Sequence, residues 1–232
     1  IFQSTLYPFT NAPPQVQLAG RSSLTSAVRI SAGNDHDLLV CSQNNALRTI
    51  SADSSGIGKP VQSNGKLCFL SETTDGQFSL AFLQDGDSII SGSQAIIRTN
   101  KKLNVAWMKM DSVISGGWVS GADTIQLFSG QQLDVLQGPI GAISYDSISQ
   151  MVMVVFTGKG NFLLGRVPLT WNWTGQEDSN WHQAANWQLA GHPAINGLPS
   201  ATSHVIIPGG TVNMPVIASG SSATCQDLTI GP

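Results

Sequence analysis

The sequence predicts an all-β protein, in which a β-propeller-like or sandwich-like meander is followed by the start of a β-solenoid or sandwich-like module. Charged residues make up 11% of the 232 residues, against about 25% in an average soluble domain, and helices usually carry such residues on their outer faces. Short apolar runs of about four to seven residues alternate with turns rich in Gly, Asp and Asn, as in β-hairpins. No segment shows the sustained apolar periodicity of an amphipathic helix.

Three regions follow from the order of these runs. Residues 1–25 are predicted to be an extended, loop-like segment, because three prolines interrupt regular elements. Residues 26–166 carry the alternating runs and form the predicted meander. Residues 167–232 are richer in Pro and Asn, lose the regular hairpin signals and form a Trp-rich module, so we place a domain boundary near Arg166.

The meander has two candidate architectures. Its predicted hairpins are AVRIS with LLVCS, KLCFLS with FSLAFL, FSLAFL with SIISG, and GAISY with MVMVVF. The same turn signals predict SVISGGWVS with TIQLFS, TIQLFS with LDVL, and MVMVVF with NFLLGRV. Strand ends at Ser42, Gln84 and Ser129 recur at the period of a four-stranded propeller blade, about 40–50 residues, and in this spacing residues 1–166 resemble propeller blades. The next strand end, Thr157, comes too early for a full blade, so a sandwich of meandering hairpins is the alternative.

Charge and hydropathy exclude two kinds of partner. The formal net charge is −3 and the isoelectric point is about 5.7, so the chain lacks the basic footprint that binds nucleic-acid phosphates. No apolar run reaches the roughly 18 residues of a transmembrane helix, and we therefore predict no membrane span in this chain.

The three cysteines do not form a metal-binding pattern. Cys41 and Cys68 lie in apolar runs, Cys225 lies near the end of the chain, and no C-x-x-C motif occurs. We expect three small buried hydrophobic side chains. A Cys41–Cys68 disulfide is the alternative in an oxidising compartment.

We predict no enzymatic activity and no catalytic residue. No G-x-S-x-G nucleophile motif occurs. The only two glutamates, Glu72 and Glu177, fall in different predicted domains, whereas a glycosidase needs paired carboxylates in one cleft. No organic cofactor is expected.

Calcium is the only metal ion for which the sequence offers candidate ligands, because it prefers hard oxygen donors. Asp35 and Asp37 flank His36 in one predicted turn, and Asp85 and Asp87 lie in another. We expect both turns to be solvent-exposed hairpin tips, and we assign no metal site.

Residues 171–187, WNWTGQEDSNWHQAANW, hold four of the six tryptophans. In an extended strand Trp171 and Trp173 point to the same face, and a short helical turn could join Trp181 to Trp187. Burying a Trp removes about 150–250 Å² from water, so we predict that these rings anchor a structural cap. Stacking of Trp173, Trp181 and Trp187 on a carbohydrate is the alternative role.

Residues 171–230 resemble a module of large secreted and surface proteins of Bacteroidetes and related bacteria. Its pattern runs W-T-G, W, A-x-N-W, a Pro loop, a V-x-I-P strand, a second Pro strand and an L-T-I strand. The animal membrane protein amnionless opens with a looser version. The matching residues here are Trp173, Thr174, Gly175, Trp181, Ala185, Asn186, Trp187, Pro199, Val205, Ile207, Pro208, Pro215, Val216, Cys225, Leu228, Thr229 and Ile230.

This resemblance implies an extracellular, modular protein built for display or adhesion, and it carries over no catalytic residue. In the similar proteins strands continue after L-T-I, so we expect the module to be cut short here. We therefore expect a non-enzymatic extracellular structural or adhesive surface protein that assembles with other copies or domains into a filament, layer or spike. The alternatives are a carbohydrate- or receptor-binding module, including a virion spike, and a fragment of a polysaccharide-acting enzyme.

Overall fold

The computed structural model describes residues 15–51, 59–73, 77–110 and 113–231. They form two compact units, which divide between Leu164 and Gly165. Nearly all regular structure in these ranges is β-strand, which confirms the predicted all-β class.

Fourteen strands up to Arg166 share one hydrogen-bonded network. Their bounds are β1 (Gln15–Arg21), β2 (Thr25–Ala32), β3 (Asp35–Ser42), β4 (Arg48–Ile50), β5 (Val61–Ser63), β6 (Leu67–Thr73), β7 (Phe78–Ser91), β8 (Gln94–Lys109), β9 (Ile114–Val119), β10 (Asp123–Phe128), β11 (Leu133–Gln137), β12 (Ile140–Asp146), β13 (Met151–Phe156) and β14 (Gly160–Arg166).

The main path through this network is β1-β2-β3-β6-β7-β8-β10-β13-β12, with β4 and β5 attached at β7, and β9, β14 and β11 attached at β8. The described strands thus join one meandering network rather than separate four-stranded blades. This arrangement fits the meander or sandwich alternative better than the propeller alternative.

The long hairpin of β7 and β8 connects two parts of this network. The half next to the hairpin turn pairs with β5 and β10, and the half far from the turn pairs with β6 and β9. The halves meet at register shifts around Gly86. A Cβ at Gly86 would lie 2.6 Å from the Cα of Gly65, so only glycine allows this close approach.

Some of the predicted hairpins are confirmed and several are wrong. The predicted pairs β9 with β10, β10 with β11, and β13 with β14 do not form, because β10 pairs with β8 and β13 whereas β14 pairs with β9 and β11. β2 pairs antiparallel with β3, β6 with β7, and β12 with β13, as predicted. The predicted turn QDGD lies inside the continuous strand β7. Asp85 takes a positive φ of 49° there, so the Asp-Gly pair forms a bulge that bends the strand instead of reversing it.

The N-terminal region also differs from the prediction. The segment expected to be loop-like includes β1, which pairs antiparallel with β2 at the edge of the network. Its sequence QVQLAGR alternates polar and apolar residues, a strand signal that the nearby prolines obscured. Residues 1–14 lie outside the described residues.

The interior of unit 1 is one aliphatic and aromatic core. Inward positions alternate along the strands; in β6, for example, Cys68, Leu70 and Glu72 are buried. Trp107 is fully buried and stacks on Phe162, with ring centroids 6.0 Å apart.

Unit 2 contains a five-stranded sheet in the order β17-β16-β15-β18-β19. Its elements are β15 (Thr170–Trp173), a 3-10 turn (Ala184–Asn186), β16 (Trp187–Leu189), β17 (His192–Asn196), β18 (His204–Ile207) and β19 (Asp227–Ile230). β16 is antiparallel to β15, whereas β18 is parallel to both β15 and β19.

No helix in the described ranges is long and apolar enough to span a membrane.

Candidate functional site

The four clustered tryptophans of unit 2 are all buried. Trp187 is 0% exposed, Trp173 1%, Trp171 2% and Trp181 7%. Trp171 and Trp173 lie on β15, and the 3-10 turn that the sequence analysis anticipated lies between Trp181 and Trp187. None of the four rings presents an open face for a sugar, so this placement favours the packing role over stacking.

Trp187 lies at the centre of the cluster. Its ring meets Trp173 edge-on at a centroid distance of 4.8 Å and Trp181 at 4.7 Å. Such tilted pairs are favourable because the positive edge of one ring faces the negative face of the other. The indole N–H of Trp187 donates to the Trp181 carbonyl at 2.7 Å, and that of Trp173 donates to the Asn213 carbonyl at 2.7 Å.

Asn186, fully buried beside Trp187, holds the polar loop of the segment in place. Its Oδ1 accepts the backbone N–H groups of Glu177 and Asp178 at 2.9 and 3.1 Å. Its Nδ2 donates to Asp178 Oδ1 at 2.7 Å and to the Asn180 carbonyl at 3.0 Å. An amide is the only neutral side chain that supplies both two donors and an acceptor here.

The W-T-G triplet has a structural explanation. The backbone N–H and the Oγ1 of Thr174 both donate to the Asn186 carbonyl, at 2.8 and 3.0 Å. Gly175 takes a φ of 58°, and a Cβ there would lie 2.4 Å from the Asn213 carbonyl oxygen. Thr174 therefore closes the loop, and Gly175 admits the neighbouring backbone.

The buried face of the sheet continues onto β19, whose apolar side chains no described residue covers. Leu189, Trp171, Val205 and Leu228 are register partners across β16, β15, β18 and β19. Leu189 and Trp171 are each 2% exposed and Val205 is 1% exposed, whereas Leu228 is 49% exposed. The same difference in exposure occurs two residues further along, where Ile207 on β18 is 3% exposed and its register partner Ile230 on β19 is 62% exposed.

The outer edge of β19 is open as well. The N–H groups of Asp227 and Gly231 donate to carbonyls of Ser203 and Ile207 next to or on β18. Since backbone groups alternate in direction along a strand, those of Leu228 and Ile230 point to the other side. No described strand pairs with that side.

The opposite edge of the same sheet is blocked. β17 carries Pro193, which has no N–H to donate, and proline is one of the residues that protect edge strands from pairing. β19 has no proline, and its sole charged residue, Asp227, pairs with His204 on β18 at 2.6 Å (Asp227 Oδ2 to Nδ1). The two edges therefore differ in their capacity to accept another strand.

The cysteine predictions need correction. Cys41, Cys68 and Cys225 are all free, and only Cys68 is buried. Cys68 is the register partner of Val40 on β3, so Cys41 points to the opposite face of the sheet and cannot reach Cys68. Burial raises the pKa of the Cys68 thiol to about 12.

The calcium candidates lie in strands rather than in exposed turns. Asp35, His36 and Asp37 are part of β3, so the two aspartates share one face of the sheet and His36 points to the other. Asp85 pairs with Lys66 at 2.7 Å, and this hydrogen-bonded partner holds the pKa of that carboxyl below its usual range. No cluster of three metal-ligating side chains occurs within the described ranges.

Sequence reasoning found the tryptophans but missed two features beside them. The role of Asn186 could have been suspected from its place in A-x-N-W, since a buried amide next to a core Trp must be satisfied by hydrogen bonds. The exposure of Leu228 and Ile230 on β19 has no sequence signal, because it depends on which strands pair with β19 in the folded sheet.

No protein-family model matches the chain, and no curated protein sequence matches it significantly. The resemblance of residues 171–230 to the bacterial surface module therefore remains a prediction from its motif.

Proposed function

We propose that this chain is a non-enzymatic structural or adhesive protein of an extracellular surface, and that the β19 edge of unit 2 pairs with a further β-strand. The observation that carries the proposal is that no described residue covers the end of the buried sheet face at Leu228 and Ile230. An open edge strand with apolar side chains is a template for adding another strand. The low charge content and the motif resemblance support the extracellular location.

The roles of the acidic side chains support a non-enzymatic function. Several of them hold local structure rather than face one another in a cleft. The interactions are Glu72 with Ser91, Asp85 with Lys66, Asp146 with Ser149, Asp178 with Asn186, and Asp227 with His204.

In the 232-residue chain by itself, the strand that can occupy this edge is β19 of a second copy. In a longer chain the strand that follows L-T-I, which the motif resemblance implies, would compete for the same edge. Two copies related by a two-fold axis perpendicular to the sheet pair their β19 strands antiparallel. This operation keeps Leu228 and Ile230 of both copies on the same face, where the side chains cover one another. Such isologous contacts are the commonest in homo-oligomers. Head-to-tail growth is disfavoured because the β17 edge carries Pro193.

The test is the molar mass of the full chain in solution, measured by sedimentation across a range of concentrations. We expect a reversible dimer of modest affinity, because the edge is only four residues long and small contacts are usually transient. Leu228→Lys should abolish the dimer. Val212→Lys is the matched control, since Val212 lies in unit 2 and is 94% exposed.

A monomer at every concentration would contradict the proposal. So would a dimer that Leu228→Lys and Val212→Lys weaken equally, because the contact would then not involve β19 specifically.

A further inference from the structure

A cavity of about 420 Å³ opens in unit 1 beside the end of β10. Its lining combines one cation, Lys109, with the hydroxyls of Ser115 and Ser129, the amides of Gln131 and Gln150, and the ring of Phe128. A concave site with an aromatic wall and a few convergent polar groups is the usual form of a small-ligand pocket.

Lys109 is the distinctive group of this cavity. Its Nζ lies 4.9 Å from the centroid of the Phe78 ring and 3.4 Å from Gln77 Oε1. Burial lowers the pKa of Lys109, which means that the ammonium is partly stripped of water. Both of these contacts are uncharged, and among the described residues no carboxylate lies within ion-pair distance of Nζ.

The wall opposite Lys109 is held in place by backbone contacts. The N–H groups of Ser129 and Gly130 both donate to the Gln150 carbonyl at 3.2 Å, and Trp107 Nε1 donates to the Phe128 carbonyl at 3.0 Å. A wall fixed in this way is preorganised, so a ligand need not order it on binding.

A second cavity, of about 350 Å³, shares one lining residue, Gln150, with the first. It is also polar, with Arg98, Gln94 and Gln126 among its lining residues. The carboxylate of Asp146 also lines it but accepts hydrogen bonds from its own turn, from the Ile148 N–H at 2.9 Å and Ser149 Oγ at 2.7 Å. The second cavity therefore adds polar groups on the other side of Gln150, while the one lysine lies in the first.

We propose that the Lys109 cavity binds a carboxylate-bearing saccharide. In this proposal Lys109 takes the carboxylate, and the C–H face of the ring lies against Phe128. The side-chain amides of Gln131 and Gln150 and the hydroxyl of Ser115 bond the sugar hydroxyls. The Ser129 hydroxyl instead donates to the Gln131 carbonyl and shapes the wall. This site lies in unit 1, goes beyond the proposed assembly function, and does not use the buried tryptophans of unit 2.

The test is an NMR titration of the full chain, observing the backbone amides of Gly130 and Gln131. The probes are glucuronate, galacturonate and N-acetylneuraminate, each beside its uncharged methyl ester. A charge-assisted hydrogen bond contributes about 1.5–3 kcal/mol, so we expect the acid to bind at least about tenfold more tightly than its ester.

Two variants assign that difference to one side chain. Lys109→Gln should remove the preference for the acid, and Lys109→Arg, which keeps the charge, should retain part of it. Lys159→Gln, an exposed lysine of the same unit, should change nothing. Leu228→Lys should also leave binding unchanged, which separates this proposal from that of self-assembly.

Three outcomes would overturn the proposal. The first is the absence of shifts at Gly130 and Gln131 with all six probes. The second is equal binding of acids and esters. The third is an equal response to sodium acetate, which would show a simple anion site that does not recognise the sugar.

Discussion

Units 1 and 2 are both β-structures with few charges, but they are stabilised differently. In unit 1 a long antiparallel network encloses an apolar core to which strands along most of its length contribute. In unit 2 five short strands are held by four tryptophans and by a loop whose polar groups converge on Asn186. A short segment can therefore supply a core when its side chains are large and a buried side chain such as Asn186 ties its loop together with several hydrogen bonds.

The consequence is a different sensitivity to mutation. Stabilising contacts of unit 1 are spread over many strands, so the loss of one side chain removes a small part of the core. Those of unit 2 are concentrated in residues 171–187, where one polar residue organises the loop and the central ring contacts two others. Single substitutions in this segment should therefore melt unit 2 while unit 1 stays folded.

The largest expected effect is that of Asn186→Ala. This change leaves the N–H groups of Glu177 and Asp178 without their acceptor and removes two further hydrogen bonds. At about 1 kcal/mol for each bond, the free energy of unfolding of unit 2 should fall by about 2–4 kcal/mol. Amide hydrogen exchange measures this, with faster exchange in unit 2 and unchanged exchange in unit 1.

Asn196→Ala is the matched control, because Asn196 is an exposed asparagine of the same unit and such changes usually stay within about 0.5 kcal/mol. Equal effects of the two substitutions would show that Asn186 does not organise the loop. Equal loss of protection in both units would show that they do not unfold separately.

A smaller effect concerns the thiols of unit 1. In a Cys225→Ser background we expect iodoacetamide to modify exposed Cys41 in the folded protein and Cys68 only after unfolding. Because the pKa of Cys68 is raised to about 12 from an ordinary 9.0, its contribution to stability is complete below pH 9 and is lost as pH rises towards 12. Mass spectrometry of the labelled peptides identifies which cysteine has reacted. The free energy of unfolding, measured against pH, tests the titration of Cys68.

Cys68→Ala should flatten that pH dependence between 9 and 12. Rapid labelling of Cys68 in the native protein, at a rate matching that of Cys41, would contradict the register that places the two thiols on opposite faces of the sheet.

The sequence predicted the class of fold and part of the strand pairing. The pairing of β2 with β3, and of β12 with β13, followed the short turn that joins each pair. A similarly short turn joins β13 to β14, but β14 pairs with β9 and β11 instead, so turn length alone does not determine pairing. The bend of β7 was not, since Asp-Gly serves both hairpin turns and bulges. β8 was missed because Arg98, Lys101 and Lys102 interrupt its apolar pattern, and periodicity cannot detect a strand whose middle is exposed.

The candidate site was also predictable only in part. Trp173, Trp181 and Trp187 were predicted to pack, with sugar stacking as the alternative, because composition identifies large rings but not the direction they face. The hydrogen bonds of Asn186 and the open edge of β19 depend on residues distant in the sequence, as in the bond between Trp173 and Asn213. Local patterns do not contain that information.

The central claim is that the tryptophan-rich segment builds a core instead of a ligand face. Iodide quenching of tryptophan fluorescence in the Trp118→Phe protein tests it most directly, because Trp118 is 37% exposed and the other five tryptophans are buried. We expect a blue-shifted emission that neither iodide nor added saccharide changes. Red-shifted emission that iodide quenches and saccharide protects would contradict it.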